Sequence, residues 1–172
     1  MPAWPFSPSL ADKDAARLLL QVTNASRNPA LFGEGRVADT LDGRFEVVTM
    51  HAALALIRLR GAPDAAALSQ GFVDALFRHL DAGLREDGVG DLTVPKRMRK
   101  LATITYGRVD AYAAALADGS DALQGVLTRN VLNGEPTFAP QLARHVCDLA
   151  DLQSLLDWQA LLTADAWPAF VA

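Results

Sequence analysis

One stretch of the chain concentrates positive charge in a pattern that could bind an anionic partner. Between Val94 and Val109 there are five basic side chains and no acidic one, whereas the rest of the chain carries eleven basic against twenty acidic side chains. The basic residues are Lys96, Arg97, Arg99, Lys100 and Arg108. Arg97 and Arg108 are eleven residues apart, about three helical turns, so a helix places them on one side. The spacing predicts an amphipathic helix with a cationic face.

This cationic face has two interpretations. It could dock on an acidic protein surface, on RNA or on phospholipid headgroups. It could also be a solvated surface whose charges pair with nearby acids. Because the net charge is −4 and the pI is near 5.3, the protein as a whole is not a general nucleic-acid binder, and we expect no contact with DNA.

Histidine and cysteine are too sparse to predict a metal site. The imidazoles are His51, His79 and His145, and Cys147 is the single thiol. His145 and Cys147 form an H-x-C pair, but residues two apart on a helix point in different directions, and no further ligands complete a set of four. His51 is expected to be a hydrogen-bonded histidine of the core or its boundary. We therefore expect no metal and no cofactor.

No motif in the sequence predicts catalysis, and we expect no catalytic residue. There is no P-loop, no dinucleotide-binding glycine pattern and no G-x-S-x-G elbow. An enzyme would have to use His51 with Asp39 and Asp42, or a metal at the H-x-C pair. A haem-handling variant would use His51 or His145 as an axial ligand.

The elements that carry these residues are predicted to be helices throughout. With 172 residues and 51% hydrophobic types, the chain is long enough for one domain with a core of its own. We expect an all-α fold of about six or seven helices, with residues 1–9 as an irregular arm and residues 10–172 as a single helical domain. Apolar periodicity and Pro/Gly breaks predict helices at 12–26, 45–59, 65–85, 93–117 and 120–131, and from 136 to about 167.

Particular residues are expected in the core of this fold. The predicted buried face of the first helix consists of Ala16, Leu19, Leu20 and Thr23, and that of the second helix of Val48, Ala52, Ala55, Leu56 and Leu59. The glycine inside the fourth helix, Gly107, indicates either close approach by a neighbouring helix or a kink.

The segment 29–44 is a long loop for a compact domain. Such a loop is typical of a functional segment or of one that a partner orders. Leu31 and Phe32 could anchor an interface, but we favour the interpretation that they insert into the core and hold the loop in place.

Three motifs together resemble the ubiquinol–cytochrome c chaperone family, the assembly factors of the cytochrome bc1 complex in mitochondria and bacteria. They are the DTLDGRFE motif (residues 39–46) with His51 downstream, the LREDGVGDLTVPKR motif (residues 84–97) and the YGR motif (residues 106–108). The residues that carry the resemblance are Asp39, Thr40, Asp42, Gly43, Arg44, Phe45, His51, Leu84, Arg85, Glu86, Gly88, Val89, Gly90, Asp91, Tyr106 and Gly107.

The resemblance implies an α-helical chaperone without enzymatic activity. Its client would be newly made cytochrome b, held until haem and partner subunits are added. Further contacts would be a small partner assembly factor, the ribosome or anionic lipid headgroups. An alternative from another class is a helical adaptor that binds the ribosome, RNA or an anionic membrane through the basic helix, without a respiratory client.

The expected location follows from the N-terminus and the hydropathy. The N-terminal residues MPAWPFSPSL lack the features of a signal peptide or a mitochondrial leader, and no stretch approaches the roughly 20 apolar residues of a membrane span. We expect a cytoplasmic protein, peripheral at the inner face of a bacterial plasma membrane, or on the matrix side if the chain is organellar.

Overall fold

The helical periodicity corresponds to six α-helices in the computed structural model, which describes residues 9–86 and 94–171, with backbone alone for residues 84–86, 94, 95 and 97. The helices are α1 (Leu10–Ser26), α2 (Leu41–Arg60), α3 (Ala66–Glu86), α4 (Val94–Asp118), α5 (Ser120–Asn130) and α6 (Ala139–Leu155). Short 3-10 turns lie at Pro29–Leu31, Pro63–Ala65, Trp158–Leu162 and Ala164–Ala166. Within these described ranges there is no strand beyond one isolated bridge, so the predicted all-α class is confirmed.

Helix α2 lies at the centre of the fold and contacts α1, α3, α4 and α6. All eight residues from Thr49 to Leu56 are buried, so no side of this segment faces water. A helix that is covered all round belongs to a core rather than a surface. The predicted stripe is confirmed at Ala52, Ala55, Leu56 and Leu59, whereas Val48 is only half-buried and burial extends all round the helix beyond that stripe.

Helix α1 packs on α3 and α2 through Ala15, Leu18 and Val22. Of the predicted face only Thr23 is buried, whereas Leu20 is 54% exposed, so the prediction was displaced by about one residue. Because Leu18–Leu20 are three consecutive leucines, the sequence fits two neighbouring buried faces of α1 equally well. Packing against another helix determines which face is buried. Gly71 of α3 provides that contact, because a Cβ there would lie 3.2 Å from the Cβ of Ala15.

The loop after α1 is ordered by contacts within the chain. The turn Pro29–Leu31 is capped by Asn28, whose Oδ1 accepts a hydrogen bond from the N–H of Ala30 at 3.0 Å. The N–H of Val37 donates to the carbonyl of Leu31 at 3.1 Å, and both side chains are fully buried. The prediction that Leu31 anchors the loop in the core is confirmed, and Phe32 is half-buried against that core.

Helix α6 ends at Leu155, so the helix predicted to continue to about residue 167 is wrong. The chain instead folds back in 3-10 turns that side chains of earlier elements hold in place. The guanidinium of Arg58 donates to the carbonyls of Gln153 at 2.7 Å and Leu156 at 2.6 Å. Asn28 donates to the carbonyl of Phe170 at 2.9 Å. Side-chain bonds to backbone carbonyls replace the helical bonds that end here. None of the described helices has the length and apolar character to cross a membrane.

Candidate functional site

The DTLDGRFE motif builds the N-terminus of α2. Thr40 is the N-cap, and its Oγ1 accepts a hydrogen bond from the N–H of Gly43 at 3.1 Å. Gly43 is buried against the preceding loop, where a Cβ would overlap the carbonyl oxygen of Ala38. Helix α2 therefore begins at Leu41, four residues before the predicted start at Phe45, because this cap satisfies the first turn.

Two charged residues of the same motif form an exposed ion pair. Arg44 Nε donates to Asp39 Oδ1 at 2.6 Å, and this hydrogen bond holds the pKa of Asp39 below its ordinary value. The pair borders a surface groove of about 620 Å³ beside the end of α1. Asp42 is exposed in the first turn of α2, where its charge complements the positive end of the helix dipole. These three side chains face solvent and do not build the core.

An ion pair joins the DTLDGRFE motif to the YGR motif. The guanidinium of Arg108 on α4 donates from Nε to Glu46 Oε2 at 2.9 Å and from Nη2 to Glu46 Oε1 at 2.8 Å. Both side chains are largely buried, with 24% and 15% exposed, and the hydrogen bonds to Glu46 raise the pKa of Arg108. Two parallel bonds between planar groups fix orientation as well as distance. This pair therefore sets how α4 lies on α2.

Removing either partner of this pair should destabilise the fold. We expect Arg108→Ala or Glu46→Ala to lower the free energy of unfolding by about 2 kcal/mol, because each leaves a half-buried charge without its partner. Urea unfolding of both single variants and the double variant measures the coupling. The matched control is Arg44→Ala, which breaks an exposed pair and should change stability little. Equal effects of Arg44→Ala and Arg108→Ala would contradict the structural role of the buried pair.

His51 is a wholly buried core residue, as predicted. Its Nδ1 lies 2.9 Å from the carbonyl oxygen of Val47 and 3.2 Å from Ser26 Oγ. A carbonyl only accepts, so Nδ1 carries the proton and Nε2 keeps a lone pair. Nε2 has no hydrogen-bond partner among the described residues. Burial is the main cause that lowers the pKa of His51 to about 4.

The neighbours of His51 come from the C-terminal half of the chain. The ring of His145 on α6 lies 6.2 Å from it and that of Trp167 6.3 Å, between ring centroids. His145 in turn packs edge-on against Phe170 at 5.3 Å. Because this packing encloses His51 completely, a haem iron cannot reach it in this conformation. Burial lowers the pKa of His145 as well.

The H-x-C pair does not form part of a ligand cluster. Cys147 is partly exposed. Its partial burial raises the pKa of the thiol, which disfavours the thiolate form that binds metals. In the described part of the chain no group of three or more His, Cys, Asp or Glu could hold a metal ion. His79, the remaining imidazole, is exposed on α3.

The basic side chains of α4 point in two different directions. Lys96, Arg99 and Lys100 are exposed on the outer side of the helix, at the spacing of neighbours on one face. Arg108 lies twelve residues after Lys96, about a third of a turn away from that face, and bonds to Glu46 instead. The side chain of Arg97 lies outside the described residues.

The YGR motif continues the outer face with Tyr106 and Gly107. Tyr106 is 48% exposed, and its ring lies 6.3 Å from that of Phe77 on α3. It lines a groove of about 390 Å³ between α2, α3 and α4. No atom would lie within 4 Å of a Cβ on Gly107, so of the two explanations for this glycine the structure excludes close approach by a neighbouring helix.

The middle half of the LREDGVGDLTVPKR motif, residues 87–93, lies outside the described residues. Leu84, Arg85 and Glu86 end α3, and their side chains are not described. Gly88, Val89, Gly90 and Asp91 fall in the undescribed connection to α4.

Sequence reasoning missed the role of Glu46. It belongs to the DTLDGRFE motif, but nothing local to it predicts a partner 62 residues away. The available signal was an acidic residue one turn after Asp42, directly before Val47 and Val48 at the start of the mostly apolar part of the helix. An acid at such a position requires a buried cation, and a basic residue in another motif was the natural candidate.

The sequence and the fold are both similar to those of known proteins. A family model described as ubiquinol-cytochrome C chaperone matches residues 34–167. The fold is similar to the crystal structure of the Cbp3 homolog from Brucella abortus, with a TM-score of 0.79 and 36% sequence identity over 94% of this chain and 91% of that chain. No curated protein matches the sequence.

Proposed function

The chain belongs to the ubiquinol–cytochrome c chaperone family, and on that premise we propose that it binds newly made cytochrome b and promotes assembly of the cytochrome bc1 complex. The observation that carries the proposal is the family match over residues 34–167, which spans all three motifs. We propose that the protein works by holding its client and not by catalysis.

The motif residues form two groups, one that builds the fold and one that is exposed, and the exposed group supports a binding role. Thr40, Gly43 and His51 build the fold, because they cap, pack or fill the core. Tyr106 is 48% exposed beside Phe77, and Gly107 is exposed with no atom within 4 Å of a Cβ built on it. Exposed tyrosine is a residue type that protein interfaces favour. Side chains of this second kind are candidates for contacts with a client or partner.

Partners and location belong to the same proposal. The client is cytochrome b, and further contacts are a small partner assembly factor, the ribosome or anionic lipid headgroups. The place of action is the cytoplasmic side of a bacterial plasma membrane, or the matrix side in an organelle, because a client made for the membrane has to be held beside it.

A second candidate is an adaptor that binds RNA or the ribosome through α4. The exposure of Lys96, Arg99 and Lys100 favours it. Binding to bulk RNA that weakens steeply with salt would support this candidate. Salt-insensitive or undetectable binding would remove it.

Deleting the gene tests the proposed function in cells. We expect ubiquinol–cytochrome c reductase activity and the b-type haem of the complex to be lost, because unprotected cytochrome b is not assembled. Re-expression of the chain should restore both, and succinate dehydrogenase activity serves as the control for general respiratory damage. Normal reductase activity in the deletion strain would contradict the proposal.

A further inference from the structure

The outer face of α4 begins with three cations and continues without charge to the middle of the helix. Lys96, Arg99, Lys100 and Thr103 are exposed, and Tyr106 follows on the same face at 48% exposure. These positions are three or four residues apart in turn, so they form one continuous stripe about 15 Å long. We call this set the outer stripe.

Within the part of the chain that the structure describes, the cations of the outer stripe have no acidic partner. No hydrogen bond or ion pair joins the side chain of Lys96, Arg99 or Lys100 to another side chain in residues 9–86 and 94–171. By contrast, Arg108 pairs with Glu46, and Arg60 pairs with Asp110 at 3.0 Å. Acidic residues Asp87 and Asp91 precede α4 in sequence but lie outside the described residues. Among the described residues the stripe is thus a local positive surface, on a chain of net charge −4.

We propose that the outer stripe docks on an anionic phospholipid bilayer. Lys96, Arg99 and Lys100 would contact headgroup phosphates, and Tyr106 would lie at the interface, where an aromatic ring with a polar end is favoured. The positive charge of the outer stripe is the same whichever client the chain binds. The inference rests on the proposed function only for the identity of the membrane, which is the one that receives cytochrome b.

A lipid surface fits the stripe better than the client itself does. The cytoplasmic loops of membrane proteins carry an excess of Lys and Arg, so a cationic helix face repels them. The cytoplasmic leaflet carries the opposite charge and attracts the face. Contact with the leaflet would bring the chaperone beside an emerging membrane protein while leaving its other faces free.

The stripe also fits a lipid surface better than RNA. Proteins that bind single-stranded RNA combine a positively charged groove with several stacking aromatic side chains. The outer stripe is the convex face of a single helix, and within its described positions it offers one exposed ring, that of Tyr106. A convex line of cations is suited to a flat array of phosphates.

Vesicle flotation with the purified full-length chain tests this inference. We expect the protein to float with vesicles of phosphatidylglycerol and phosphatidylcholine and not with phosphatidylcholine alone, and to dissociate at high salt. Each cation contributes about fivefold to membrane affinity, so the triple variant Lys96→Glu, Arg99→Glu, Lys100→Glu should lose about 100-fold or more. Its helicity by circular dichroism should be unchanged, because these side chains make no described contacts.

The matched control places the same charge change elsewhere. Lys13, Arg129 and Arg144 are exposed on α1, α5 and α6. The triple variant Lys13→Glu, Arg129→Glu, Arg144→Glu should float nearly as well as the unmodified chain. Equal losses in both triple variants would show that net charge alone acts, and would overturn the inference.

Three further outcomes distinguish failure of this inference from failure of the proposed function. If the unmodified chain ignores anionic vesicles but binds RNA through the stripe, the lipid inference is overturned and the adaptor is favoured. If vesicle binding fails while cytochrome b still co-purifies with the chain, the lipid inference fails and the proposed function stands. If vesicles are bound but cytochrome b never co-purifies, the lipid inference stands and the proposed function fails.

Discussion

Replacing Gly43 by alanine is expected to destabilise the protein by about 3 kcal/mol, at the upper end of what overpacking costs. The reason is backbone contact: a Cβ at this position would overlap the carbonyl oxygen of Ala38. That carbonyl also accepts the N–H of Thr40 at 2.9 Å, so moving it away disturbs the cap of α2. Urea unfolding followed by circular dichroism at 222 nm measures the change.

Gly107→Ala is the matched control, because it makes the same substitution inside a helix. No atom lies within 4 Å of the new Cβ, so relief of the glycine penalty should stabilise the fold by up to about 1 kcal/mol. The two alanine variants should therefore change stability in opposite directions. Two changes of the same sign would contradict the packing described around Gly43.

The stability of the protein is expected to fall by about 3 kcal/mol between pH 7 and pH 4 through His51 alone. In the folded state burial lowers the pKa of this imidazole from 6.5 to about 4, so the folded chain keeps it neutral. The unfolded chain takes up the proton below about pH 6.5. Since the unfolded state then binds more protons, acid favours unfolding until the folded state also titrates near pH 4. Above pH 7 the effect vanishes.

His51→Gln removes this titration and should flatten the pH dependence of the unfolding free energy, although it also lowers stability at neutral pH. His79→Gln, at an exposed position, should keep the slope of the unmodified chain. His145 adds a smaller loss of the same sign, because burial lowers its pKa too. A slope in His51→Gln as steep as in the unmodified chain would show that His51 is not the group responsible.

Local pattern was sufficient to predict most helices, but not the buried face of α1 or the positions where α2 begins and α6 ends. Leu68, Phe72 and Leu76 recur at helical spacing, and all three are buried in α3. The Leu18–Leu20 run is ambiguous in register, and only packing against α3 resolves it. The end of α6 depends on Arg58, whose guanidinium bonds to carbonyls about 95 residues further along the chain. A single sequence does not show such a contact.

The candidate site could be predicted only in part, because some of its residues are positioned by contacts with residues that are distant in sequence. The cationic character of α4 follows from composition, but the face that the structure exposes is that of Lys96, Arg99 and Lys100 and not the predicted side shared by Arg97 and Arg108. Arg108 was grouped with them because it shares a side with Arg97, yet Glu46 holds it against α2. Likewise, burial of His51 was expected, but its contact with Trp167 required the C-terminal turns to fold back.

The central claim is that this chain holds cytochrome b before its complex is complete, and a pull-down tests it most directly. A tagged, functional chain is recovered from gently solubilised respiring cells, and the co-purifying proteins are identified by mass spectrometry. The account predicts enrichment of cytochrome b without the late subunits of the cytochrome bc1 complex. Recovery of ribosomes or RNA alone, with cytochrome b at the level of an untagged control, would contradict it.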